Sequence, residues 1–442
     1  MSVFKAYDVR GTWPDQLNED MARRIGDAFV RLLGGGSLVV GRDMRSMAPS
    51  MSAALIEGAL RAGADVIDIG LSSTPMTYFA IGSEGVDGGV QVTASHNPKE
   101  YIGFKFCRKG CIPVSGDTGI KEIERMVADP EPPPAERPGR RMEKDVLDAY
   151  VEHVLSFGPG IGALKVVIDT ANGMGGHAVP RILERLPVKP RFLFKELDGT
   201  FPNHEADPLK ERNLKWLVEA VKEKGADLGM AFDGDADRCV FVDARGRPVR
   251  SDLVTAALAV DFLERFPGSA VVYDLRSTRA VPEAIEAAGG KPVRERVGHS
   301  FIKATMRRHE AVFAGELSGH FYFRDNFYSD SGEIAMVVML SVLARKGVDL
   351  EELVEPYRRY ASTGEINFRV EDADATLEEL ERRFADGRID HLDGITVAYD
   401  DWWFNVRKSN TEPLVRLNME AETPELLAEK RALLETILGK SI

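Results

Sequence analysis

Short apolar runs that stop abruptly in polar residues recur along this chain. SLVVGRD (37–43), LKVVIDT (164–170) and SAVVYDL (269–275) each carry a β-branched doublet and a sudden polar end. That is the pattern of a parallel strand covered on both faces. After each come a helical stretch, a second strand candidate and a further strand that ends in an unusual polar loop. Those further strands are GGVQVTASHNP (88–98), ADLGMAFDGDADR (226–238) and EAVFAGELSGH (310–320). The repetition predicts three similar α/β units with mixed, mainly parallel sheets. Ligand loops of such sheets sit at the carboxyl ends of strands, where all three polar segments fall.

The proline-rich, charged stretch DPEPPPAERPGRR (129–141) excludes helix and central strand and closes the first unit. A helix in EKDVLDAYVEHVLSF (143–157) leads into the second, which joins the third near RGRPVRSD (245–252). After about residue 360 the pattern becomes a mixed α+β module: GEINFRV, a helix through TLEELERRFA, then GITVAYD, WWFNVR, LVRLNMEAE and a terminal helix. The expected domains are therefore 1–145, 146–247, 248–359 and 360–442.

Composition narrows the class. At 442 residues the chain is too long for one core, and 44% hydrophobic with 29% charged residues suits soluble globular domains. A net charge of −13 argues against nucleic acid or an anionic membrane as the main partner, though not against a small phosphorylated ligand in a local basic pocket. Cys107, Cys111 and Cys239 lack disulfide or zinc spacing and read as structural thiols. MSVFKAYDVRG has no signal-sequence pattern and no run approaches membrane-spanning length, so a reducing cytoplasm is expected.

The polar loops carry the chemistry. In the first, Ser95-His96-Asn97-Pro98 ends a strand in a hydroxyl, an imidazole, an amide and a proline, with Lys105 downstream. In the second, Asp233, Asp235 and Asp237 alternate, so their carboxylates can converge on one cation while Gly234 lets the backbone curl. Three anionic ligands leave sites open on an octahedral ion, which suits Mg²⁺. An EF-hand is excluded, since its glycine would fall at Arg238 and its terminal glutamate at Ala244. In the third, Glu316 and Ser318 share a face of an extended segment and suit paired sugar hydroxyls, while His320 can carry a proton near neutral pH. A fourth loop, Arg407-Lys408-Ser409-Asn410-Thr411, is nearly all donors and suits a phosphate dianion, although Ser-Asn also favours a plain turn. Arg10, Arg276 and His299 are further groups that could complete a pocket. Gly173-Met174-Gly175-Gly176 lacks dinucleotide-site spacing and reads as a strand-to-helix turn.

Taken together, FKAYDVRG, GRDMR, TASHNPKEYIGFK, DGDADR, GELSGH and RKSNTEP resemble, in order and over the full length, the α-D-phosphohexomutase superfamily and its bacterial phosphomannomutase/phosphoglucomutase group. The resemblance implies four domains around a central cleft, three alike and a fourth of different type. It implies reversible transfer of a phosphoryl group between C1 and C6 of mannose or glucose phosphates, with a hexose 1,6-bisphosphate as intermediate and activator. Ser95 would carry the phosphoryl group, and Asp233, Asp235 and Asp237 would bind Mg²⁺ together with the Ser95 phosphate. Arg10, His96, Lys105, Arg238 and His320 would surround the reacting end, with Lys105 and His320 as proton-transfer candidates. Glu316 and Ser318 would grip sugar hydroxyls, and Arg276, His299 and Asp330 would contact substrate. Arg407, Ser409, Asn410 and Thr411 would hold the non-reacting phosphate. Such an enzyme needs only small phosphosugars as partners and works as a monomer or small homo-oligomer.

Competing readings are a phosphoglucosamine mutase, a haloacid-dehalogenase-like phosphatase with Asp233 as nucleophile and Asp235 as acid, and an inactive sugar-phosphate binding protein. GELSGH disfavours the first by family pattern. The second places its Asp-x-Asp near the N-terminus and leaves TASHNP idle. For the third, nothing is missing from the motifs.

Overall fold

A computed structural model describes residues 2–408 and 414–441, and these build four sheets. In the first, the strands lie in the spatial order Val9–Thr12, Tyr101–Arg108, Gly88–Val92, Ser37–Arg42, Asp65–Leu71 and Arg141–Glu143. Ser37–Arg42 is central, parallel to Asp65–Leu71 on one side and Gly88–Val92 on the other. Tyr101–Arg108 then returns antiparallel beside Gly88–Val92.

The other two units repeat this plan. In the second, Lys165–Asp169 is flanked in parallel by Lys189–Leu193 and Leu228–Phe232, and Cys239–Asp243 returns antiparallel. Pro248–Val249 adds a short edge to it. In the third, Ala270–Asp274 lies between Lys291–Glu295 and Phe313–Gly315, and Phe321–Phe323 returns, with Ser329–Asp330 at its edge. Each polar loop is thus the turn from the third parallel strand into an antiparallel return. The parallel trio is the part the apolar runs announce. The return strands are buried too, so their pairing direction leaves no mark on the hydrophobic pattern.

One apolar core runs through all three units, joining Tyr78 and Cys107 to Val151, Ile168 and Phe232 and on to Phe313 and Val338. Its axis is the helix Gly332–Lys346, GEIAMVVMLSVLARK, buried on every side from Gly332 to Leu343. A helix apolar all round must be enclosed; this one packs against helices Leu147–Leu155, Gly175–Leu183 and Ser251–Arg265. Cys107, Cys111 and Cys239 are free thiols within the packing. Among the described residues no helix is long and apolar enough to cross a membrane.

The fourth module is different. Its strands, in the order Ala361–Arg369, Leu414–Ala421, Trp402–Lys408, Ile395–Ala398 and Arg388–Asp390, are antiparallel throughout, accompanied by helices Ala373–Arg383 and Pro424–Leu438. Phe368, Phe404, Leu417 and Leu434 belong to a core of its own. The seam to the third unit is polar. Arg279 donates from its backbone N–H to Glu420 (2.9 Å) and from its guanidinium to the carbonyls of Asp400 (2.6 Å) and Trp402 (3.0 Å). Tyr360 donates to Glu283 at 2.7 Å, and Arg294 pairs with Asp390 at 2.7 Å.

Candidate active site

The loop after Gly88–Val92 turns sharply because Ser95 adopts a left-handed backbone, φ +50°. Its N–H is held by Thr93 Oγ1 (2.9 Å), which leaves the side chain facing the second unit. There Ser95 Oγ donates to Asp233 Oδ2 at 2.9 Å and lies 3.1 Å from His96 Nδ1. The approach is close enough that a Cβ on Gly234 would sit 2.4 Å from the Ser95 carbonyl oxygen. Glycine is required at that crossing.

The alternating aspartates do converge. Oxygens of Asp233, Asp235 and Asp237 lie within 4.8 Å of one another, and all three residues are buried. Burial and the like charges of Asp237 and Asp235 push the Asp233 carboxyl well above the usual range. Lys105 Nζ reaches across from the first unit to Asp235 Oδ2 (2.6 Å) and Asp237 Oδ2 (2.5 Å). Burial alone would lower the Lys105 pKa, but these two carboxylates raise it above the ordinary lysine value. Asp235 Oδ1 and Asp237 Oδ1 remain buried without a hydrogen-bond partner. Three converging carboxylates, two of them with an orphaned oxygen, are a donor set for a hard divalent cation, and Mg²⁺ fits it.

His320 joins the third unit to this cluster. Its Nε2 lies 3.3 Å from Asp237 Oδ1 and 4.0 Å from Asp330 Oδ2, while Nδ1 lies 2.8 Å from Ser318 Oγ and 3.3 Å from Glu316 Oε2. Burial disfavours the imidazolium, yet Asp237 and Glu316 together lift His320 to about 9. Arg238 Nε lies 3.3 Å from the same Nε2, so that nitrogen faces both a guanidinium and the Asp237 carboxylate. Glu316 is fixed by the Gly298 N–H (3.2 Å) and the Tyr322 hydroxyl. Burial opposes its charge, but His320 and Arg276 draw it down to about 2. His96 is held neutral by burial and by Arg238 and Arg10. Arg10 reaches the serine loop through Asn97 Oδ1 at 2.6 Å.

A second basic cluster lies between the third and fourth units. Arg407 Nη2 donates to Glu365 Oε2 (2.6 Å) and Arg416 Nη1 to Glu365 Oε1 (3.1 Å), while Arg276 Nη1 lies 3.5 Å from the same carboxylate. Arg407 and Arg416 lie opposite each other on paired strands, each with a buried Nε lacking an acceptor. Arg276 is clamped by Asp274, which also takes the Leu317 N–H (2.8 Å), so this cluster abuts the Glu316 loop. His299 packs edge-on to Tyr7, its pKa lowered by burial and Lys303 to about 3. Lys408 pairs with the exposed Asp374 rather than with Glu365. Ser409, Asn410 and Thr411 lie outside the described residues.

Comparison with known proteins gives these loops a common ancestry. Residues 1–133, 148–246 and 250–360 match, in turn, alpha/beta/alpha domains I, II and III of phosphoglucomutase/phosphomannomutase, and 365–435 match its C-terminal domain. A phosphomannomutase of Salmonella montevideo is 40% identical over 443 residues, covering 98% of this chain and 97% of the relative. The chain belongs to the phosphoglucomutase/phosphomannomutase family. Another phosphoglucomutase/phosphomannomutase relative, named phosphohexose mutases, from Xanthomonas campestris pv. campestris, is 41% identical over 436 residues (98% of this chain, 97% of that one). A family crystal structure from Burkholderia thailandensis superposes with a TM-score of 0.91 at 34% identity, covering 100% of this chain and 98% of its own.

Two residues that touch this site were not singled out from sequence. Thr74 opens helix Thr74–Glu84 of the first unit and donates its hydroxyl to Asp235 Oδ2 at 2.5 Å. Lys303, fully buried, lies 2.6 Å from Asp330 Oδ1 and 3.9 Å from the Tyr78 ring centroid. Their sequence surroundings are ordinary helix starts and helix faces, so only the meeting of units reveals them.

Proposed function

We propose that this chain is a phosphohexomutase that moves a phosphoryl group between C1 and C6 of hexose phosphates, mannose and glucose being the sugars. The observation that carries the reading is the Ser95 hydroxyl set against Asp233 at the edge of a buried carboxylate cluster built from another unit. Ser95 carries the phosphoryl group. Asp233, Asp235 and Asp237 would hold Mg²⁺, which would supply charge neutralisation for the transferring phosphoryl group. The domains 1–145, 146–247, 248–359 and 360–442 each lend one loop to the site.

Every other role belongs to the chain. Arg10, Lys105 and Arg238 balance negative charge around Ser95, and His96 is neutral beside its hydroxyl. His320, protonated and within reach of Ser318 and Glu316, is the group able to exchange a proton with a sugar hydroxyl. Glu316 and Ser318 bind sugar hydroxyls, and Asp330 and His299 contact the ring. The Arg276–Arg407–Arg416 cluster, with Ser409, Asn410 and Thr411, holds the phosphate that is not reacting. A bisphosphate that reverses between these two clusters returns its other phosphate to Ser95.

Peptide mass spectrometry tests this. A phosphoryl group on the peptide containing Ser95, discharged by glucose 6-phosphate, is expected. Turnover that survives in Ser95→Ala but is lost in Asp233→Asn would instead make Asp233 the nucleophile. Initial rates with mannose, glucose and glucosamine 1-phosphates, each with bisphosphate activator, rank the substrates.

A further inference from the structure

The GRDMR segment contributes none of the groups assigned above, yet its last residue is among the most enclosed side chains in the molecule. Arg45 has 0% of its side chain exposed. Its Nη1 donates to the carbonyls of Pro98 (2.7 Å) and Tyr101 (3.0 Å), and its Nη2 to those of Ser95 (2.8 Å) and Asn97 (2.7 Å). One guanidinium therefore gathers four carbonyls of the loop that bears the reactive serine. Behind it, Asp43 Oδ2 lies 3.2 Å from Nε, and Asp43 Oδ1 accepts the Arg45 N–H at 3.0 Å. The Phe201 ring, from the second unit, covers the guanidinium with its centroid 5.1 Å away. Gly199 presses so close that a Cβ there would lie 2.5 Å from Arg45 Cα.

This arrangement has a directional consequence. In a trans peptide the C=O and N–H point opposite ways. With the Ser95 carbonyl drawn to Arg45, the N–H of His96 is turned to the other side. Ser95 itself holds a left-handed φ that is uncommon for a residue with a side chain. Something outside the loop must hold it there, and the planar five-donor fork of arginine can reach four acceptors where an ammonium cannot.

We propose that Arg45, backed by Asp43 and sealed by Phe201, is a positioning residue for phosphoryl transfer, fixing the Ser95 backbone so that Oγ stays aimed at the carboxylate cluster. The proposal rests on Ser95 as the phosphoryl carrier. It makes the serine's geometry depend on docking of the second unit, since Phe201 and the aspartates arrive on the same body.

The test compares full-length wild type with Arg45→Lys and Phe201→Leu. Lysine keeps the charge and loses the fork, whereas leucine keeps Arg45 and loses its cover. A misplacement of about 1 Å costs about 100-fold in rate. The expected result for Arg45→Lys is therefore a kcat about 100-fold lower with KM for the hexose 1-phosphate within about threefold of wild type. Phe201→Leu shifts kcat in the same sense by about 10-fold, and intact-mass measurement shows Ser95 phosphorylation by glucose 1,6-bisphosphate slowed in parallel. If Arg45→Lys does not fold, Phe201→Leu decides. Wild-type kcat in the folded variants, or a rise in KM matching the fall in kcat, overturns the proposal. Wild type that neither turns over nor takes up phosphoryl at Ser95 sinks the mutase reading and this one with it.

Discussion

Lys105→Met separates charge from packing at the centre of the site. Methionine keeps the length and apolar stem but removes the ammonium that sits 2.6 Å from Asp235 and 2.5 Å from Asp237. The lysine side chain is 9% exposed and the two aspartates 0% and 3%, so bulk water screens the pair little. Removing one partner of a buried ion pair costs about 3–5 kcal/mol, because the other charge stays behind uncompensated. Arg238 and His320 still balance part of the cluster, so the loss is expected near the lower end of that range. With about 2.1 cal/mol/K of unfolding entropy per residue, a cooperative unit made of the first three domains shifts by about 1.3 °C per kcal/mol, so the metal-free variant melts about 4 °C below wild type. A divalent cation then replaces the missing charge. At a hundredfold excess over Kd, binding stabilises a folded state by about 2.7 kcal/mol, and a site with one more negative charge binds more tightly still. Scanning calorimetry of both proteins, in chelator and in excess Mg²⁺, reads this directly. The deficit should fall below half its metal-free size when Mg²⁺ is present. An equal deficit in both conditions would refute the idea that Lys105 and the cation serve the same carboxylates.

Other perturbations probe the neighbouring contacts. Thr74→Val deletes the hydroxyl on Asp235 and should weaken Mg²⁺ binding about 10-fold or more, as calorimetric titration would reveal; unchanged affinity would deny Thr74 a part in orienting the carboxylate. Glu333, buried in the central helix, has its carboxyl pushed up to about 8 by burial, against the pull of hydrogen bonds from Ser73, Tyr150 and Ser331. Because the folded pKa is raised, the native state keeps its proton longer. The stability this lends is complete below the ordinary glutamate value of 4.5 and is lost as pH rises through about 8. Glu333→Gln should therefore melt higher than wild type in alkaline buffer but not in mild acid, and parallel pH profiles would remove Glu333 as the cause. Glu365→Gln takes away the carboxylate that Arg407, Arg416 and Arg276 share. Fluorescence or calorimetric titration with inorganic phosphate should show affinity rising about threefold, on the scale of a partly exposed pair; weaker binding would mean that Glu365 organises the arginines rather than competing with the anion.

What the chain disclosed in one dimension follows the range of the forces involved. SLVVGRD, LKVVIDT and SAVVYDL announce their strands because burial on both faces leaves an unbroken apolar run. The aspartate triplet announces itself because its three ligands are near neighbours in sequence. Thr74 and Lys303 stayed silent, and Arg45, though part of GRDMR, disclosed no role, since each acts on residues brought close by the fold. The common core through three units was equally hidden: the helix Gly332–Lys346 is apolar all round, and nothing in it names the neighbours that cover it.

The polar seam at Arg279 bears on how such an enzyme can adapt to temperature. Durability resides in the continuous core of the first three units, whereas the arginine-bearing module hangs on hydrogen bonds to Asp400, Trp402 and Glu420. Heat resistance and turnover speed are therefore written in different parts of the chain. Substitutions along the seam are expected to change how the fourth module meets a sugar phosphate more than they change the melting of the common core.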